Sequence, residues 1–207
     1  MNVNYIPFAP QHFAAVIALG NHVHGDNYLD PDSLTTIYHK GWQDDINASW
    51  IAVIPHGEFA PDQIEQSHLI NEGLLVGFRL TYAPQNWDVD EWCTPTDWPH
   101  PKEQVCYFKC NTVDATFRGL GIGATLLKRS IEQAKLQGAI AGIAHIWLAS
   151  PNNSAYGYFS ACGGELVKKH ANRWQRLALE ENYQCPVCPG ICTCTAAEMI
   201  LPFERVA

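Results

Sequence analysis

Apolar residues recur along the chain in two rhythms. Stretches rich in branched and aromatic residues, each bounded by Gly, Pro or polar residues, fall at VNYIPF (3–8), ASWIAVIP (48–55), GLLVGFRLTY (73–82) and QVCYFKCNTV (104–113). Three more follow at IAHIWLAS (143–150), ELVKKHA (165–171) and AEMILPF (197–203). All seven predict strands. Ile122, Leu126, Leu127, Ile131 and Ala134 instead repeat at helical spacing, and Gly138 is placed to end that helix. PQHFAAVIALGNHVHG (10–25) starts another helix with Pro10 in its first turn, and DPDSLTTIYHKGW (30–42) offers Asp or Ser caps for a second. NNSAYGYFSACGG (152–164) predicts a short helix with a glycine stop. Strands and helices mixed in this order call for an α/β or α+β sheet with helices on its faces. The polar segment 56–72 reads as a surface excursion, and residues 83–102, with four prolines, read as a long loop.

Composition narrows the picture. With 207 residues, 47% of them hydrophobic, the chain can bury one core, and a single domain over 1–207 is expected. The opening MNVNYIPFAP has no basic start followed by an apolar run, and no stretch approaches the ~20 apolar residues that cross a bilayer. A cytoplasmic protein is therefore expected. A formal charge of −8 disfavours nucleic acid or an anionic membrane as partner. It favours a cationic one, for which the loop 83–102 supplies Trp87, Trp92 and Trp98 beside Asp88, Asp90, Glu91 and Asp97, and the same residues equally fit a loop that simply covers the sheet.

The stretch VDATFRGLGIGATLL (113–127) carries a glycine-rich turn straight from a strand into a helix. A helix start leaves backbone N–H groups unsatisfied and its dipole favours an anion, while glycines let a phosphate approach. Leu120 and Ile122, alternating with Gly119, Gly121 and Gly123, are expected to anchor the turn in the core. An NTPase phosphate loop would need a Lys that is missing here. A dinucleotide fingerprint fits GLGIGA formally, but the next strand, GIAHIWLAS, ends in no acidic residue. A turn needed only for packing would account for one glycine better than three.

Arg118, Gly121 and Gly123 fill the [QR]xxGx[GA] pattern of the pyrophosphate loop of the GNAT superfamily of N-acetyltransferases, which this stretch resembles. Downstream, ASPNNSAYGYFSACGG resembles the family's NxxAxxxYxxxGF segment, with Asn152, Ala155 and Gly163 in place. The resemblance implies a GNAT fold, with a mixed, mostly antiparallel sheet flanked by helices. It implies acetyl-CoA as co-substrate, held by Val113, Arg118, Gly119, Leu120, Gly121, Ile122, Gly123, Ala124 and Asn152. It also implies direct transfer of the acetyl group to an amine of a small molecule or peptide, with homodimers common.

One departure matters. The family's usual acid, a Tyr, falls on Phe159, which has no proton to give, so Tyr158 is the substitute candidate. Glu103 is the candidate base that frees the amine's lone pair, and His22 and His24 fall where the family builds an acceptor wall. The rival to an enzyme is a non-catalytic acyl-CoA-binding or metal-sensing module on the same fold. Cys106 and Cys110 share strand parity and read as packed thiols.

Near the end, CPVCPGICTC places Cys185, Cys188, Cys192 and Cys194 as CxxCxxxCxC. Four thiolates converging after a Pro turn form a closed tetrahedral shell suited to structural Zn²⁺, with an iron–sulfur cluster or free thiols as alternatives. The segment 172–195 thus reads as a cysteine-rich insertion between the last two strands. It either shapes the acceptor side or staples its own excursion.

Overall fold

The structure is a computed structural model that describes residues 1–59 and 65–203. The middle of the expected 56–72 excursion, residues 60–64, lies outside the described residues. In chain order the elements open with β1 (Asn4–Pro7), α1 (Phe13–His24), α2 (Pro31–Lys40), β2 (Trp42–Gln43), β3 (Ile46–Asn47) and β4 (Trp50–Ile54). Next come β5 (Leu69–Ile70), β6 (Gly73–Tyr82), β7 (Val105–Val113), α3 (Ile122–Leu136) and β8 (Ala141–Trp147). The chain closes with α4 (Ser154–Ala161), β9 (Glu165–His170), α5 (Gln175–Glu180) and β10 (Ala196–Pro202). The eight-stranded sheet runs β1-β4-β6-β7-β8-β10-β9, with β5 on β6, and β2 and β3 form a separate ribbon. Every ladder of the large sheet is antiparallel except β7–β8, which α3 connects as a crossover.

Local chemistry sets the ends of these elements. Asp30 caps α2, its carboxylate accepting from the N–H groups of Asp32 and Ser33, with Pro31 at the first helical position. One face of the sheet carries α1 and α2 over Ile51, Phe78 and Leu80. The other carries α3 and α4 over Cys106, Phe108, Ala144, Ala197 and Met199. The fifth expected strand, 143–150, is shifted: β8 spans 141–147, because its backbone follows β10, which covers it along its whole length.

A β-bulge corrects the reading of Cys106 and Cys110. Cys110 faces Leu80 while Phe108 faces Thr81, so Lys109 is an extra residue without a partner. The side-chain alternation therefore slips by one, and the two cysteines point to opposite faces: Cys106 under α3 and α4, Cys110 under α1 and α2.

Candidate active site

The parallel pair β7–β8 holds together only through Val105, Cys106 and Tyr107 against Ala141, Gly142 and Ile143. Beyond that point the two strands diverge, and the bulge at Lys109 bends β7 at the fork. Asp114 donates its N–H to Val76. By strand alternation the N–H and C=O groups of Asn111 and Val113 then face the open side. A free strand edge can pair with an extended ligand arm.

The chain leaves β7 for α3 through Arg118–Gly121. Gly119 (φ +79°) and Gly121 (φ +77°) sit in the left-handed region, where a side chain costs ~1–2 kcal/mol. No N–H from Gly119 to Ala124 donates to a protein acceptor among the described residues; the first bond of the helix runs from Thr125 to Gly121. Ile122 is buried, but Leu120 is 58% exposed, which corrects its expected role as an anchor. The two left-handed glycines turn it outward. Arg118 points inward to the strand, Nε donating to the Val113 carbonyl at 3.0 Å. It thereby fixes the turn against the end of β7.

At the apex of the fork lies a pair that the sequence did not single out. His145 Nε2 is 2.7 Å from the Trp92 carbonyl, which can only accept, so the ring proton is on Nε2. Nδ1 is then an acceptor, and Tyr107 Oη donates to it at 3.0 Å. Burial, the largest influence, lowers His145 to about 4, so the ring is neutral and its Nδ1 lone pair is open to the Tyr107 hydroxyl, while the same burial disfavours the imidazolium. In the sequence both residues looked like ordinary strand positions; only the parallel pairing of their strands joins them. Tyr107 borders a cleft of about 260 Å³ together with Tyr82, Trp87, Lys109 and Arg173, and His145 stands behind it.

The loop 83–102 roofs this face. Its anchor is Glu198 on β10, fully buried, which accepts from Thr94 N (2.8 Å), Thr94 Oγ1 (2.7 Å), Trp98 Nε1 (2.8 Å) and His170 Nε2 (2.9 Å). Burial pushes the Glu198 carboxyl up, but these four bonds outweigh it and the net shift is downward. The oxygens and nitrogens of Glu198, His145 and His170 are close enough to ligate a metal, yet each is engaged in these bonds. The expected cationic acceptor on the loop's tryptophans is not supported. Lys102 Nζ sits 4.7 Å above Trp87 and Arg173 5.3 Å above Trp92, so the protein's own cations cover both rings. Trp98 is buried.

Acid should loosen this arrangement. His145 and His24 both fall from an ordinary 6.5 to about 4, through burial first and, for His24, the Arg118 charge second. Between those values the unfolded chain binds protons that the folded one does not, so stability is complete above pH 6.5 and declines towards 4. Glu198, lowered in the fold, adds a loss of the same sign at still lower pH. Thermal unfolding followed from pH 8 to pH 4 is expected to show a midpoint flat above ~6.5 and falling below it.

The remaining expected residues separate. His24 is at the wall, Nε2 2.8 Å from Thr112 Oγ1 on β7, whereas His22 is near the surface against His68, ring centroids 6.0 Å apart. Glu103 is exposed in the turn before β7, at the paired end of the fork, ~17 Å of strand from Phe108. That position removes it from the base role. Asn152 is exposed in a left-handed conformation ahead of α4. Phe159 is fully buried against Phe108, while its neighbour Tyr158 reaches the first turn of α3.

The four cysteines of 185–194 converge. Sγ of Cys185 and Cys188 lie 3.7 and 3.5 Å from that of Cys194, and all four sulfurs are within 4.8 Å of one another. A tetrahedral shell with Zn–S of about 2.3 Å needs sulfurs about 3.8 Å apart, so the donor set fits zinc, and the distances exclude disulfides. The insertion also braces the turn after α1: Tyr183 Oη donates to the His24 carbonyl (2.9 Å) and Gln184 N to that of Asp26 (3.2 Å). Gly25 (φ +105°) is required there, because a Cβ would strike the Gln184 carbonyl.

A mixed, mostly antiparallel sheet with a glycine-rich turn from strand to helix is the geometry that the sequence motifs implied. The profile of the Acetyltransferase (GNAT) family matches residues 35–163, more than half of the chain. The chain belongs to the GNAT family. Among solved structures this GNAT chain is similar to a chain of the NatC complex bound to Gag peptide and CoA, with TM-score 0.64 and 14% identity over 99% of this chain and 100% of that one. It is similar to Arabidopsis thaliana NAA60 in complex with a bisubstrate analogue (0.63, 12%, 98% and 100%). It is also similar to yncA of Salmonella typhimurium with its cofactor acetyl-CoA (0.61, 15%, 100% and 97%). At these identities the likeness is one of fold. No curated protein sequence matches the GNAT chain.

Proposed function

We propose that the protein is an N-acetyltransferase that moves the acetyl group of acetyl-CoA to an amine by direct attack. The observation that carries this is the unbroken run of free N–H groups from Gly119 to Ala124 at the mouth of the β7–β8 fork. These amides and the α3 dipole suit the cofactor's pyrophosphate. The open edge at Asn111, with the N–H of Val113, suits its pantetheine arm, and the thioester then lies towards the fork's apex. The structures of similar proteins with CoA or acetyl-CoA bound support the same reading.

At the apex the acceptor amine must lose a proton as it attacks. The Tyr107 hydroxyl takes that proton while passing its own to His145 Nδ1, and the imidazolium later returns it to solvent. On the other side the C–S bond breaks and Tyr158 protonates the departing sulfur. The acceptor is a small-molecule or peptide amine; peptide acceptors are favoured by the Gag peptide in the NatC complex structure. The four-cysteine insertion holds a structural zinc ion that fixes the wall carrying His24.

Titration calorimetry with CoA, followed by CoA release from acetyl-CoA over a panel of amines and peptides, tests this reading. Turnover with any acceptor supports it; tight CoA binding without turnover across a broad panel favours the non-catalytic CoA-binding or metal-sensing module, to which Phe159 lends weight. Tyr107→Phe is expected to lower kcat by ~10²-fold with CoA affinity changed less than about twofold. An unchanged kcat would take the pair out of the chemistry.

A further inference from the structure

Arg79 of β6 is a charged residue only 2% exposed, on the face covered by α3 and α4. Among the described residues no carboxylate lies within 4.0 Å of it, and its Nε has no acceptor. Stripping a guanidinium of water without a counterion is costly, and the Phe108 ring, 5.0 Å from Cζ, returns only part of that cost. Among the described residues the guanidinium makes one hydrogen bond, from Nη2 to Tyr158 Oη at 3.2 Å. Tyr158 in turn donates to the Gly123 carbonyl, 2.8 Å away in the first turn of α3. Opposite Arg79 in the β6–β7 register stands Asn111, whose buried Oδ1 also lacks a partner. Two unsatisfied polar groups and a phenol thus gather between the fork's apex at Phe108 and the helix start.

We propose that Arg79 is the positioning residue that makes Tyr158 the acid for the leaving thiolate, in place of the phenylalanine at 159. This rests on the acetyl-CoA reading above. The guanidinium donates to the phenol oxygen, so it leaves the hydroxyl proton free to point elsewhere and stabilises the oxygen once that proton has gone. In the transfer step the amine nitrogen bonds to the acetyl carbonyl carbon, and the C–S bond breaks with its electron pair on sulfur. The Tyr158 hydroxyl rotates from the Gly123 carbonyl and gives its proton to that sulfur; solvent reprotonates the phenolate held by Arg79. Phe159 cannot take this place because its ring fills the core against Phe108. The other titratable groups facing Arg79 are Cys106 on β7 and Cys162 on α4, with Cys110 on the far side of β7, and burial pushes all three thiols up, so they stay neutral at neutral pH.

The test compares CoA with desulfo-CoA, binding each to the metal-loaded full chain by calorimetry from pH 6.5 to 9.5. In the resting CoA complex solvent has returned the proton to Tyr158, whose buried phenol then donates to the bound thiolate with Arg79 behind it; CoA thereby gains on desulfo-CoA by about tenfold as the thiol ionises, its bound value lying about one unit below the ordinary ~8.5. In Arg79→Met that gain is expected to vanish while desulfo-CoA affinity stays within about threefold. Tyr158→Phe removes a single hydroxyl and is expected to abolish the gain as well, which keeps the test open should Arg79→Met fail to fold. A pH-dependent gain that survives in either variant, or is missing from the parent protein, overturns the proposal. Failure of the parent to bind desulfo-CoA at all overturns the cofactor reading instead.

Discussion

Gly121→Glu is expected to weaken CoA binding by at least ~100-fold, about 2.7 kcal/mol. Two effects add. The residue sits at φ +77°, where any side chain strains the backbone by ~1–2 kcal/mol and loosens the turn that aligns the amides. A Cβ there meets nothing within 4 Å, so the new carboxylate has room to stand in the space where the pyrophosphate is proposed to lie. It would compete for the helix-start dipole and repel the phosphates. Gly121→Ala separates the two, carrying the strain without the charge, and is expected to lose only about tenfold. Calorimetry with CoA reads both. Equal affinities for the parent and Gly121→Glu would mean that the glycine turn serves packing alone.

Cys192→Ser is expected to release the bound metal and to cost about 4 kcal/mol wherever free zinc stands a thousandfold above its dissociation constant. For a chain of this length that is a fall of roughly 10 °C in unfolding temperature. Cys192 is fully buried at the centre of the insertion's small core with Tyr183, Cys185 and Cys194, so no rearranged thiol can easily replace it. The loss should spread, because Tyr183 and Gln184 hold the turn after α1. Cys93→Ser, outside the cluster, is the control and should keep the metal. Elemental analysis and thermal unfolding of both variants decide the matter. A parent protein without metal would remove the zinc reading, and a coloured, iron-bearing one would replace it.

Much of the site could be read directly from residue order, and some of it could not. Gly119 and Gly121 announced a strand-to-helix turn because only glycine enters the left-handed region freely, and the turn is local. CxxCxxxCxC was equally local, since ten residues suffice to bring four sulfurs together. Leu120 was misjudged because alternation assumes a regular backbone, and two positive-φ glycines break that regularity. Cys106 and Cys110 were misjudged for a related reason: a single bulged residue, Lys109, reverses every parity beyond it. The tryptophan loop looked cationic-seeking because the lysine and arginine that cover its rings come from elsewhere along the loop and from the cysteine-rich insertion.

Residue order by itself determined the main strands and helices, the glycine-rich helix start, the thiol cluster and the family, since each depends on groups within about one turn or one strand of each other. Tertiary structure alone decided which side chains meet at the fork. Tyr107 and His145 are 38 residues apart and Arg79 and Tyr158 are 79 apart, joined only when β7 lies parallel to β8 and α4 packs against β6 and β7. Strand pairing and a bulge fix those meetings, and both are properties of neighbours in space that no single segment encodes.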